Sequence, residues 1–221
     1  MKEIKGMWFP DDDTHFQHHL ESSPMLNERG TYQLKKLQAA VGFVPESARG
    51  LAVDVGAHVG LWSHVLSTMF EEVVAFEPHL ALYECWNRNC NDIDNAICYH
   101  MALSHTNDDI SIAYVQGNSG NAHVVDKPAQ GASFTRTYAL DNFPLGRKID
   151  LLKIDVEGWE LFVVQGAKRT IQEDKPVIIL EQKPGNAERF NIRRLAALEY
   201  LIALGYKLVW EKSGDYVVTY A

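Results

Sequence analysis

"LAVDVGAHVGLW", residues 51–62, is an apolar run with one acid, Asp54, that breaks into a turn carrying Gly56 and Gly60. β-Branched and small residues before the break suit a buried strand, and the glycines suit a tight turn into a helix. That unit opens an α/β fold with a mostly parallel sheet. Working outward, strands are expected at Leu51–Val55, Glu72–Glu77, Ala96–Ala102, Asp150–Asp155, Pro176–Glu181, Tyr206–Glu211 and Asp215–Tyr220. Helical spacing marks Leu61–Phe70, Leu80–Asn91, Trp159–Gln172 and Ile192–Leu204. Only "KSG" separates the cores of the last two strands, which predicts an antiparallel hairpin. Ile110–Leu140 breaks the rhythm with short strands and loops and no helix. Residues 1–50 differ again. The polar, turn-rich "FPDDDTHFQHHLESSP" precedes helical spacing at Tyr32, Leu34, Leu37 and Val41. This predicts an N-terminal arm or cap over 1–50 on a domain spanning 51–221.

Ligands of an open α/β sheet gather at the carboxyl ends of its strands. Those ends carry Asp54 with its glycine turn, Glu77, Met101 and Ala102, Lys153 and Asp155, and Glu181. A nucleoside-triphosphate loop would need a lysine and a hydroxyl after its last glycine, but Leu61 and Trp62 follow Gly60. A dinucleotide turn would need a middle glycine, and His58 stands in that region instead. Asp54 would also repel a pyrophosphate. The turn suits a ligand end that bears both a carboxylate and an ammonium, as S-adenosylmethionine does. The helix start near Gly60 can take the carboxylate, and Asp54 with the loop carbonyls, including the His58 region, can meet the ammonium. Glu77 lies where an acid accepts ribose hydroxyls, the backbone at Ala102 can read an adenine edge, and Asp155 closes the near side.

The segments "LAVDVGAHVGLWS", "VVAFEP", "TYALDNF", "IDLLKIDVEGWELFVVQGA", "ILEQ" and "GDYVVTY" resemble the FkbM-type S-adenosylmethionine-dependent methyltransferases over roughly residues 50–220. The resemblance implies the class I methyltransferase, Rossmann-like fold: a seven-stranded, mostly parallel sheet with an antiparallel last strand. It also implies methyl transfer, usually to oxygen of a sugar-like or natural-product acceptor.

Methyl transfer from a sulfonium is an in-line displacement, so alignment and exclusion of water are the protein's main tasks. An alcohol must also lose its proton to a base. Strand alternation places Lys153 and Asp155 on one side. Asp155 is the first candidate for base or acceptor orienter, Lys153 for polarising the acceptor, and Glu181 for orienting its hydroxyl. Glu157 reads more simply as a helix-start acid, and His58 and His123 as packing or surface residues. No metal is assigned. The set Asp11, Asp12, Asp13, His15, His18 and His19 matches no trusted ligand spacing. Magnesium on Asp155 with Glu157 or Glu181 is the lesser reading.

A net charge of −8 argues against general nucleic-acid binding, and no run approaches the about 20 apolar residues of a membrane span. Met1–Pro10 has no apolar core of signal-peptide length, so a cytoplasmic location is expected. The acceptor is expected to be a small molecule or glycan. Competing readings are nitrogen methylation, a nucleic-acid or protein acceptor, and a cofactor-binding pseudo-enzyme. "DVEG" stands where base-amino methyltransferases carry an Asn/Asp-Pro-Pro-aromatic motif, which counts against that route.

Overall fold

The structure, a computed structural model, describes residues 1–125 and 132–221. Its main sheet has seven strands: β1 Leu51–Val55, β2 Glu72–Phe76, β3 Ala96–Tyr99, β4 Leu151–Ile154, β5 Val177–Glu181, β6 Tyr206–Lys212 and β7 Asp215–Tyr220. Their order is β6-β7-β5-β4-β1-β2-β3. Strand β7 runs antiparallel to both neighbours, and every other neighbouring pair is parallel. Strand order reverses between β1 and β4, which opens the crevice above their carboxyl ends.

The helices are α1 His15–Glu21, α2 Leu34–Val41, α3 Ser63–Leu66, α4 Leu80–Cys90, α5 Glu160–Gly166, α6 Lys168–Asp174 and α7 Ala196–Ala203. Both faces of the sheet are covered, which is why its central strands read as near-continuous apolar runs. Leu37, Ala40 and Val41 of α2 and Val65 and Leu66 of α3 pack on Ala52, Leu151, Ile179 and Val217. On the other face, Val163, Val164, Ile171, Ala197 and Leu201 pack on Val53, Leu152, Ile154 and Ile178.

Several elements are shorter than the spacing predicts. The helix expected from Leu61 is α only over Ser63–Leu66, and the one expected over Trp159–Gln172 breaks at Ala167 into α5 and α6. At Gly166 a β-carbon would lie 1.9 Å from the carbonyl oxygen of Ser104, so only glycine allows this approach. The helix expected over Ile192–Leu204 begins at Ala196, after a 3-10 turn at Ala187–Phe190. The third strand stops at Tyr99, and Ala102–Leu103 joins a second sheet by pairing in parallel with Thr137–Tyr138. That sheet also contains Asp109–Ala113, His123–Val125 and Ser133–Tyr138, from the region expected to interrupt the helix–strand rhythm. Residues 126–131 of that region lie outside the described residues.

Residues of the N-terminal segment pack against the turn after β1 and against α4. Met7, Phe9, Phe16 and Leu20 share a core with Val59, Leu61, Leu82 and Cys85. Burying a large apolar side chain stabilises by ~1.5–3 kcal/mol, so this segment is held by core packing. Hydrogen bonds add direction. Asp12 accepts from the Tyr114 hydroxyl at 2.9 Å and the Gly117 N–H at 3.3 Å, and the N–H groups of Thr14 and His15 donate to the Gly117 carbonyl.

Candidate active site

A cavity of about 310 Å³ lies above the carboxyl ends of β1, β2 and β4. Its floor is the turn that leaves β1. Gly56 takes φ +74°, His58 φ +53° and Gly60 φ +93°. Left-handed backbone at three of five positions is what the glycines permit and what His58 must tolerate. A β-carbon on Gly56 would lie 1.8 Å from the Asp155 carbonyl oxygen, and one on Gly60 would lie 3.0 Å from Cys90 Sγ. The turn therefore packs directly on the β4 end and on α4. Its N–H groups at Gly56 and Ala57 donate to the Phe76 carbonyl at 3.0 and 3.1 Å, tying it to β2.

Asp54 and Lys153 stand side by side in the β1–β4 register, so the pleat puts both on one face. Lys153 Nζ lies 2.9 Å from Asp54 Oδ1, and it donates to the carbonyls of Gly56 at 2.6 Å and Val55 at 3.2 Å. The other Asp54 oxygen accepts from Ser63 Oγ at 2.7 Å, and Ser63 Oγ accepts from Trp86 Nε1 at 2.9 Å. Asp54 is fully buried. It thus supports the turn from beneath, where the sequence suggests direct contact with a ligand ammonium. Burial alone would lower the Lys153 pKa, but Asp54 and Asp155 outweigh it and keep the ammonium charged.

Glu77 follows β2 and is 4% exposed. Its two oxygens accept the backbone N–H groups of His58 and His79, each at 2.8 Å. Burial raises its pKa to about 7, against the lowering effect of those two bonds. A buried carboxylate that lines the cavity with lone pairs to spare is suited to hydroxyl donors. Ala102 and Met101 line the same cavity.

His58 is neutral, because burial drives its pKa down to about 3. Its Nε2 lies 2.7 Å from Ser119 Oγ, and Ser119 Oγ donates its proton to the buried Asp13. A hydroxyl that has given its proton to Asp13 can only accept from His58, so the imidazole carries its proton on Nε2. This Asp13–Ser119–His58 chain joins the N-terminal segment, the insertion and the Gly56–Gly60 turn. No motif announced it. His123 donates from Nδ1 to the Asn121 carbonyl at 2.7 Å.

Asp155, Glu157, Glu181 and Lys183 line the cavity too, together with His15, Tyr32 and Gln33 of the N-terminal segment. Glu181 is 4% exposed and lies 2.8 Å from Lys183 Nζ. Glu157 is not the helix-start acid that its position suggests. Glu160 fills that role, accepting the N–H groups of Gly158 at 3.0 Å and Val156 at 3.3 Å. Lys183 extends the β5 spacing by two residues, a signal the sequence reading passed over. The three cysteines are buried, and burial pushes the thiols of Cys85 and Cys90 to about 12, so neither offers a nucleophile.

No helix among the described residues is long and apolar enough to cross a membrane. No curated protein matches the chain. Among solved structures, the methyltransferase FkbM from Methylobacillus flagellatus KT is 17% identical, with a TM-score of 0.53, over 77% of this chain and 43% of that one. This chain thus spans less than half of that protein. SMU.1697c from Streptococcus mutans, solved in complex with SAH, is 10% identical with a TM-score of 0.53, over 85% and 96% of the two chains. Precorrin 8w decarboxylase from Methanobacterium thermoautotrophicum aligns over 100% of both chains at 14% identity and a TM-score of 0.51. At such identities these likenesses establish the Rossmann-like methyltransferase fold. The family model of the methyltransferase FkbM domain matches residues 54–208, from Asp54 into the start of β6. The chain therefore belongs to the FkbM methyltransferase domain family, whose members take the methyl group from S-adenosylmethionine.

Proposed function

We propose that this protein methylates a hydroxyl oxygen on a sugar-like or other small polyhydroxylated acceptor. The observation that carries this reading is the group of carboxylates, Asp155, Glu157 and Glu181, on the cavity wall beside the cofactor turn. An alcohol needs a base in reach, and buried carboxylates next to one another are stronger bases than isolated ones. An amine acceptor would be stabilised by the same charges as its ammonium form, which has no lone pair to attack with.

S-adenosylmethionine supplies an activated methyl group on sulfur. In this reading the Gly56–Gly60 turn and the backbone at His58 take its amino-acid end, held in shape by Asp54 and Lys153. Glu77 accepts the ribose hydroxyls, and the backbone at Ala102 meets the adenine. Asp155 orients the acceptor hydroxyl, with Glu181 behind it. His15, Phe16 and Tyr32 roof the cavity and exclude water.

Isothermal titration with S-adenosylhomocysteine, with NADH as control, tests the cofactor half. Micromolar binding of the first and none of the second is expected. Incubation with S-adenosylmethionine and a panel of methyl glycosides, followed by assay of O-methyl products, tests the acceptor half. Turnover only with amines would replace oxygen by nitrogen. Binding with no turnover on any acceptor would favour a regulatory cofactor-binding module.

A further inference from the structure

The cavity wall gathers more negative charge than acceptor orientation requires. Asp155 leaves the end of β4, Glu157 sits in a left-handed turn at φ +54°, and Glu181 ends the adjacent β5. Carboxylate oxygens of the three lie within 4.8 Å of one another. Within the group, Glu181 offers one oxygen to Lys183, while its other oxygen is buried with no hydrogen-bond partner among the described residues. Glu157 is anchored from one side only, by Asn186 Nδ2 at 2.7 Å. The helix start does not require it, since Glu160 holds those N–H groups. The charges that face Glu157 are Asp155 from β4, Glu181 and Lys183 from the β5 end, and Arg189 from the following turn. Tyr32 and His15 line the same cavity, and the charges of Asp155, Glu181 and Lys183 reach Tyr32. Three neighbouring carboxylates with one close ammonium are most stable when they share a proton.

We propose that Asp155, Glu157 and Glu181 form a shared-proton base in which Glu157 is the carboxylate that takes the proton of the acceptor hydroxyl. This rests on the hydroxyl-acceptor reading above and assigns it a base. Asp155 is then the neighbouring carboxylate whose charge makes Glu157 more basic, and Glu181 shares the proton with Glu157. In the step, the acceptor O–H bond breaks and its proton passes to Glu157. The oxygen's electron pair forms the bond to the methyl carbon, and the carbon–sulfur bond breaks with its pair remaining on sulfur as a thioether. The proton leaves to water afterwards. Burial first, and then the charge of Asp155, raises both glutamates above the ordinary carboxylate range, as a base for an alcohol requires.

The test needs no acceptor in its first half. Apo-protein labelled with ¹³C at the glutamate carboxyl carbons is titrated by NMR, with Glu157 and Glu181 assigned through E157Q and E181Q. Expected are two overlapping titrations near neutral pH, and D155N should bring the Glu157 midpoint down by roughly one unit. Independent titrations in the ordinary glutamate range would overturn the proposal. So would loss of both titrations on adding submillimolar Mg²⁺, which would make the group a cation site. In the second half, E157Q should bind S-adenosylhomocysteine as the wild type does. It should lower kcat on a methyl glycoside by about 10²-fold or more and lose the acid limb of the kcat–pH profile. Wild-type kcat in E157Q would overturn the proposal alone. A wild-type protein that does not bind S-adenosylhomocysteine would overturn the cofactor reading and this proposal with it.

Discussion

At the scale of single residues, the Lys153 ammonium is balanced from three directions, by Asp54 Oδ1 at 2.9 Å and by the carbonyls of Gly56 and Val55. Removing it strands one oxygen of a fully buried carboxylate together with the Gly56 carbonyl, while the Val55 carbonyl keeps the Asp155 N–H at 3.1 Å. Breaking a buried pair from one side costs about 3–5 kcal/mol. K153M is therefore expected to lose that much in urea unfolding at pH 7, and a loss below about 1 kcal/mol would show that Asp54 is not committed to Lys153. Glu77 gives a different prediction because both its oxygens already accept backbone N–H groups. In E77Q one of those N–H groups must face the amide NH₂, donor against donor, and a ribose hydroxyl loses its charged acceptor. Affinity for S-adenosylhomocysteine should fall by about 1–3 kcal/mol, read by titration calorimetry with the far-UV spectrum unchanged. Unchanged affinity would remove Glu77 from the cofactor site.

Between elements, the decisive contact is the one that fastens the arm to the insertion. Asp13 is fully buried and accepts from Phe16 N–H at 2.9 Å, from Ser119 N–H at 3.0 Å and from Ser119 Oγ. D13A leaves those donors without partners, at about 1–3 kcal/mol each, and releases Ser119 from its fixed orientation toward His58. Amide hydrogen exchange should accelerate at 115–121 while the strands β1, β4 and β5 stay protected. Uniform acceleration through the sheet would mean that the arm is part of the global folding unit, and no change would mean that apolar packing alone holds it. Nothing in the run of three aspartates distinguished Asp13 from its neighbours. Asp11 is exposed and paired with the chain's amino terminus, whereas Asp13 is buried, and that difference depends on contacts about a hundred residues away. The strands and the glycine turn, by contrast, were legible because period and glycine geometry are local. The helices were overextended for the complementary reason. In the Trp159–Gln172 pattern the apolar spacing continues through Gly166, whose close contact with the Ser104 carbonyl beside the break at Ala167 is invisible to that spacing.

Across the whole molecule, the same limit governed the site. Strand ends revealed Asp54, Glu77, Asp155 and Glu181, but whether each faces the cavity or the turn depends on neighbours in the sheet. Asp54 faces Lys153, and Glu157 stands on the cavity wall although its local sequence reads as a helix start. A consequence of placing so many acids inside one fold is a distinctive pH dependence. Burial raises Glu77 to about 7 and Glu160 to about 8, from 4.5, and it raises Glu157 and Glu181 in the same direction. Between 4.5 and those values the folded state keeps protons that the unfolded chain has released, so stability declines as pH rises. His58 and His64 oppose this at lower pH. Burial lowers them to about 3 and about 4 from 6.5, so their contribution to stability grows as pH rises through 6.5 and levels off about one unit above it. Above 6.5 the histidine contribution fades and the raised carboxyls dominate. The unfolding free energy of the apo-protein should therefore fall from pH 6.5 to 8, with a slope of up to about 1.4 kcal/mol per pH unit for each group still protonated, and the melting temperature should fall with it. E160Q keeps an acceptor oxygen for the Gly158 N–H and cannot ionise, so it should flatten that fall. A wild-type curve that is level or rising over this window, or an E160Q curve that matches it, would mean that the buried glutamates ionise in the ordinary range.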